Sequence, residues 1–176
     1  MNIKKIKLLA ILGIFLISFP CHFIYDLCPN FLTSIFFPVN ESIWEHMKII
    51  FTSTILYSLI DYTLLKRNNL PLHNFKSQLF ITPILGLISY LIIYLPIYHF
   101  LGEILPLSII LLLIIYILEQ IISYYILISN HNQLLNLISI PIIIIIYLLF
   151  TYLTYYPPKF YLFYDTLNKT YSLPNK

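Results

Sequence analysis

Between Leu134 and Tyr152 the chain reads LLNLISIPIIIIIYLLFTY, nineteen residues without a single charge. A helix needs roughly 20 mainly apolar residues to cross the hydrocarbon of a bilayer. Comparable runs occupy about Ile6 to Tyr25, Ile49 to Leu65, Ser77 to Tyr98 and Ile104 to Ile128. Lipid offers backbone groups no water to pair with, so a spanning segment must be a helix or part of a closed barrel. These runs are continuous rather than alternating and far longer than a barrel strand. Even PIIIIIYLLF, a good strand in water, therefore reads as helix. The expected fold is all-α, a polytopic transmembrane helix bundle of about five spans over residues 1–153, with an aromatic tail over 154–176 at the outer face.

Composition agrees with this class. Charged residues make up 10% of the chain and hydrophobic ones 60%, with a mean hydropathy of +0.87. A soluble domain carries about a quarter charged residues, so this chain lacks the polar groups to cover its own surface in water. The net charge of +3 is dispersed and forms no basic patch for nucleic acid. The expected partner is the lipid bilayer, and no feature of the sequence identifies a protein partner. Abundant Ile, Leu, Tyr, Asn and Lys with a single Arg67 fit an AT-rich bacterial genome.

The first run follows MNIKKIK and has the build of a signal peptide. No small-x-small cleavage site follows it, and Ser18-Phe19-Pro20-Cys21 is a poor lipobox, so it is expected to remain as an uncleaved span. Cys21 and Cys28 would lie about 10 Å apart along one helix, too far for a disulfide, unless the chain turns near Pro29 and Asn30. Lys4, Lys5, Lys7, Lys66, Arg67 and Lys76 fall on one side of the spans; Lys48, Lys159, Lys169 and Lys176 fall on the other. The positive-inside rule puts the first group in the cytoplasm. A cell-membrane protein with a cytoplasmic N-terminus and an extracytoplasmic C-terminus follows. Asp26, Glu41, Glu45, His99, Glu103 and Asp165 then share the outer side.

The most polar stretch is PVNESIWEHMK, Pro38 to Lys48. It suits a helix start in either of two frames: Asn40 as N-cap with Glu41 in the first turn, or Ser42 as N-cap with Glu45 completing the capping box S-x-x-E. Carboxylates at a first turn oppose the helix dipole, worth about 0.3–1 kcal/mol each. At 100° per residue Glu41, Glu45, Lys48 and Thr52 fall on one stripe, with His46 a quarter turn away. Glu45 can pair with Lys48, and Trp44 can anchor at the headgroups.

Capping, pairing and anchoring account for most of this motif. The remainder points to chemistry: His22 and Asp26 lie one turn apart at the outer end of the first span, and His22, Glu41, Glu45 and His46 could converge. Two imidazoles and two carboxylates suit Zn²⁺ or a two-histidine, one-carboxylate iron or manganese site, although the spacing is not H-E-x-x-H. The candidate polar site is His22, Asp26, Glu41, Glu45, His46 and Lys48; the candidate metal ligands are His22, Glu41, Glu45 and His46.

Glu119 lies some fifteen residues into the fourth run. A carboxylate at that depth costs a few kcal/mol and belongs inside the bundle, with Tyr, Ser or Lys66 as partners. Asp61 is expected to pair with Lys66 or Arg67, and His73 and His131 read as solvated loop residues. Pro157-Pro158 should end the last helix, with the tail folding back over Asn40 to Lys48.

Pro38 through Lys48 closely resembles the signature PVNES-x-WEH-x-K of a family of small multi-pass bacterial membrane proteins, a domain of unknown function. His22-Phe23-Ile24-Tyr25-Asp26 is similar to that family's H-F-x-Y-acidic segment, and Pro157 through Asp165 to its PP-x-x-x-x-F-x-D segment. The resemblance implies a multi-pass membrane protein and no particular activity. Three readings of function follow from the residues. In the first, the outer polar cluster caps and orders helices and contacts a partner or lipid. In the second, it is a membrane-embedded metal-dependent enzyme or ion-binding centre holding a divalent metal. In the third, which rests on Glu119, the protein is a small transporter.

Overall fold

The computed structural model describes residues 1–102, 104–171 and 173; Glu103 and Lys176, both placed on the outer side above, lie outside them. Six helices account for most of the chain: α1 Ile3–Leu27, α2 Phe31–Phe36, α3 Ile43–Arg67, α4 Phe75–Leu101, α5 Leu105–Ile128 and α6 Gln133–Tyr155. All except α2 are long and apolar enough to cross a membrane. A single 3-10 turn, Tyr161–Phe163, follows. No strand occurs among the described residues.

Local chemistry sets the helix ends. The side chains of Asn2, Asn30, Ser42 and Asn132 accept backbone N–H groups three residues on, capping α1, α2, α3 and α6, and so satisfy donors that a helix start leaves unpaired. Pro106 opens α5, and Gly102 closes α4 at φ 71°, a conformation that suits glycine. Cys28 caps α1, so Cys21 and Cys28 remain apart as free thiols. The short helix α2 was not visible in the apolar pattern.

The long helices alternate in direction, and α3 lies at the centre against α1 and α4. It is the least apolar span, with a mean hydropathy of 1.2 against 2.1–2.5 for the others, and yet the most buried. In lipid this inversion is expected. Hydrocarbon is as apolar as leucine, so the interior is built from close packing and polar contacts, while Leu and Ile face outward. Thr52, Ser53, Thr54 and Ser58 of α3 are buried, whereas Leu12 and Leu16 of α1 and Ile145 and Leu148 of α6 are exposed. Gly13 permits the close approach of α1: a Cβ there would meet the Tyr57 ring at 2.0 Å.

Polar partners inside the bundle differ from the expected ones. Asp61 pairs with Lys7 of α1, both side chains 4% exposed. Lys66 and Arg67 stay at the surface, and Lys66 lies over the Tyr62 ring. Glu119 is fully buried and accepts a hydrogen bond from Thr54 at 2.6 Å, not from Tyr, Ser or Lys66. It fits because Gly86 faces it; a Cβ there would lie 2.0 Å from its Oε1. His73 and His131 are exposed yet tie two loops together, through the Ser129 and His73 carbonyls respectively.

Candidate metal centre

The chain between α2 and α3 resolves the two capping frames. Helix α3 begins at Ile43 with Ser42 as its N-cap, the Ser42 hydroxyl accepting the Glu45 N–H at 3.3 Å. Asn40 instead turns the loop, its side chain accepting the Ser42 N–H at 2.9 Å. Glu41 therefore precedes the helix and leaves the Glu45–Lys48–Thr52 stripe. The loop backbone, not the helix face, sets its direction.

This separates the two glutamates. Glu45 faces α6: its carboxylate pairs with Lys48 at 2.7 Å, accepts the Thr154 hydroxyl at 2.6 Å and accepts the Val39 N–H at 3.0 Å. Lys48 also donates to the Ser34 carbonyl at 2.8 Å and to the Thr154 hydroxyl at 2.6 Å. Three ammonium protons meet three acceptors, and the pair is 0% and 2% exposed. Glu45 is therefore committed and does not join the histidines, which corrects the four-ligand grouping. Asp26 is also outside it, exposed at the end of α1. Trp44 is not a free headgroup anchor: it packs between Phe150 and Phe163, 5.2 and 5.0 Å between ring centroids.

His22, Glu41 and His46 do come together. His22 Nε2 lies 3.3 Å from His46 Nε2 and 3.5 Å from Glu41 Oε2, and His46 Nε2 lies 3.3 Å from the same Oε2. The three side chains are 24–30% exposed. His46 Nδ1 faces the Ser42 carbonyl at 2.9 Å. A donated Nδ1–H there leaves Nε2 as the nitrogen that turns its lone pair toward His22 and Glu41, the orienting contact typical of a ligating histidine. His22 Nδ1 is buried with no hydrogen-bond partner among the described residues. Interaction with His22 and then with His46 holds the Glu41 carboxyl far below the usual carboxylate range, against the opposing effect of burial. Glu41 is thus an anion across ordinary pH.

The separations compare with two kinds of contact. Charge-assisted N–H···O⁻ bonds run about 2.7–2.9 Å, shorter than any of the three separations. Bonds of about 2.0–2.1 Å to Zn²⁺ place neighbouring ligand atoms of a tetrahedron about 3.3–3.4 Å apart. The observed triangle of 3.3, 3.3 and 3.5 Å has that size, and the three groups together could hold a metal ion.

One contributor escaped the sequence reading. Asp165, fully buried in the tail, accepts the Glu41 N–H at 3.3 Å through Oδ2. Its Oδ1 accepts the Leu167 and Asn168 N–H groups at 2.9 and 3.0 Å, and a bridge from Asp165 to Thr170 closes the turn. The tail thus lies over the loop and fixes the Glu41 backbone. An aspartate two and three residues ahead of the amides it caps is a legible Asx turn; its reach to Glu41, 124 residues away, is not.

A cavity of about 370 Å³ opens beside the triad. Its walls are mainly apolar, from Phe19, Phe23, Ile50, Tyr94, Leu105 and Leu112, and His22, Glu41 and His46 contribute much of its polarity. A family described as of unknown function, DUF6512, matches residues 1–173. No curated protein and no solved structure matches the chain.

Proposed function

We propose that this chain, which belongs to the family of unknown function DUF6512, is a metal-binding protein of the cell membrane whose centre of His22, Glu41 and His46 takes Zn²⁺. The observation that carries this reading is the 3.3, 3.3 and 3.5 Å triangle of ligand atoms, the edge length of a zinc tetrahedron. Three protein ligands leave a fourth position open, as in catalytic zinc sites, where the metal acts as a Lewis acid and acidifies a bound water. The apolar cavity at that position favours an amphiphile with an apolar chain as the molecule presented to the metal.

The bundle crosses the membrane with its N-terminus in the cytoplasm, which puts the centre and the aromatic tail on the outer side. Charge supports this orientation more strongly once burial is considered. Lys7 and Lys48 are each consumed in internal ion pairs. Exposed Lys4, Lys5, Lys66, Arg67 and Lys76 then face Lys159 and Lys169 at the opposite end.

Elemental analysis of the purified protein tests the centre, with about one zinc per chain expected after loading and washing. Glu41→Gln and His46→Ala should each lose it. Wild-type protein that retains no metal and gains no thermal stability from Zn²⁺ would overturn the reading, and the triad would then serve only to tie α1 to the loop before α3.

A further inference from the structure

We infer that the protein carries a proton-transfer file through its centre, from a groove at Lys7 to the cavity beneath His22, with Glu119 as the relay. The inference requires the bundle to cross a membrane but does not require a metal. At the Lys7 end, a groove of about 310 Å³ is lined by Lys4, Lys7, Gln120 and Tyr124. Lys7 pairs with Asp61, and Asp61 and Gln120 both line a second, inner cavity of about 10 Å³ that also touches Thr54. That volume is the room of about one water molecule.

From the inner cavity, polar side chains of α3 and α5 continue the line. Thr54 donates to Glu119 at 2.6 Å. One turn before Glu119 on α5 is the buried Tyr116, whose hydroxyl lies 2.9 Å from the Ser53 hydroxyl, and Ser53 in turn donates to the carbonyl of Ile50, a wall of the upper cavity. Ser18 also lines that cavity, whose mouth holds His22, Glu41 and His46. Carboxyl, hydroxyl and water groups can each accept a proton on one side and release one on the other. A transfer therefore leaves every member of the file with its original number of protons, and rotation of each hydroxyl, carboxyl and water restores its donor direction for the next.

The alternative is a polar network that only glues helices together. Such a network is expected to satisfy its own atoms, because an unpaired buried polar group is costly. Here Asp61 Oδ1, Glu119 Oε1 and Gln120 Oε1 are buried with no hydrogen-bond partner among the described residues. Two of these residues border the water-sized cavity, and the third is the carboxyl deepest in α5. Unpartnered oxygens on Asp61, Glu119 and Gln120 suit transfer rather than adhesion, and intramembrane carboxylates of this kind mark proton pathways.

The test is proton flux in liposomes holding the purified protein and a trapped pH-sensitive dye, driven by a potassium diffusion potential, with a chelator present throughout. Wild-type vesicles should change internal pH faster than protein-free vesicles. Glu119→Gln, nearly isosteric, should slow the flux by about tenfold or more, since loss of an intramembrane carboxyl interrupts the relay. Glu119→Asp should retain part of the flux, and Tyr152→Phe on the exposed face of α6 should match wild type. Thermal melting checks that the variants fold; if Glu119→Gln does not, Thr54→Val is read by the same criterion. A wild-type rate equal to that of protein-free vesicles, or a folded Glu119→Gln at the wild-type rate, would overturn the inference. Because the chelator removes metal, this result and the fate of the zinc reading are independent.

Discussion

Two charged clusters are built on glutamates four residues apart, Glu41 and Glu45, and behave oppositely. Glu45 and Lys48 are sealed: every ammonium proton has an acceptor, and α2, α3 and α6 converge on them. His22, Glu41 and His46 are open, a quarter to a third exposed and set beside a cavity. The difference arises where the helix starts. Glu45, after the Ser42 cap, inherits the direction of a helix face that turns to α6; Glu41, before it, follows the loop and meets His46, which another face of α3 turns toward α1. Closure marks the cluster that holds the helices together, and incompleteness marks the one available for chemistry.

Removing one partner of the sealed pair should have the largest effect. Lys48→Met leaves the Glu45 carboxylate buried and uncompensated, and a loss of about 3–5 kcal/mol is expected in thermal or denaturant melting in detergent. Glu45→Leu together with Lys48→Met should recover most of it, since an apolar pair carries no desolvation cost. The open cluster should respond differently. Glu41→Gln should change the stability of the metal-free protein by less than about 1 kcal/mol, as expected for a partly exposed pairing. It should abolish the gain from Zn²⁺, which for wild type is about 2.7 kcal/mol at a hundred times the dissociation constant. If Glu41→Gln proved as damaging as Lys48→Met, the distinction between the clusters would fail.

Acidity offers a further separation. Glu41 has its carboxyl held low, so it stays ionised as pH falls through the carboxylate range of the unfolded chain. Its charge is lost only at lower pH. Metal ligation releases protons from its ligands, so zinc-dependent stabilisation should weaken as pH falls, while melting of the metal-free protein should show no Glu41-dependent loss above the carboxylate range of the unfolded chain. The smallest effect belongs to the shared cap. Ser42→Ala should cost about 1 kcal/mol and leave zinc stoichiometry intact, because His46 is oriented by the Ser42 carbonyl rather than its hydroxyl.

The five long helices were legible because lipid permits little else for long apolar runs, and α4 and α5 end within a few residues of the expected bounds. The start of α3 at Ile43 rather than Ile49 was missed by hydropathy, since its first two turns contain Glu45, His46 and Lys48. The capping chemistry of Ser42 supplied the correct frame, but only as one of two. Pairings were less legible. Asp61 could find Lys66 within a turn or so on its own helix; it meets Lys7 instead because α3 turns that face toward α1. Glu45 and Glu41 are equivalent as letters and differ only through where the loop hands over to the helix. Asp165 was readable as a turn former and invisible as a support for Glu41, a relation that only the folded tail creates.

That support ties the assembly of the centre to the order of translation. Ribosomal synthesis delivers His22 first, then Glu41 and His46, and these can be threaded into the bilayer long before the segment carrying Asp165 emerges. The strap from Tyr161 to Thr170 follows every long helix, so the Glu41 loop acquires its last anchor only after the bundle is inserted. A nascent chain stalled after α6 would carry all five long helices and all three triad residues but lack the strap that fixes the Glu41 backbone.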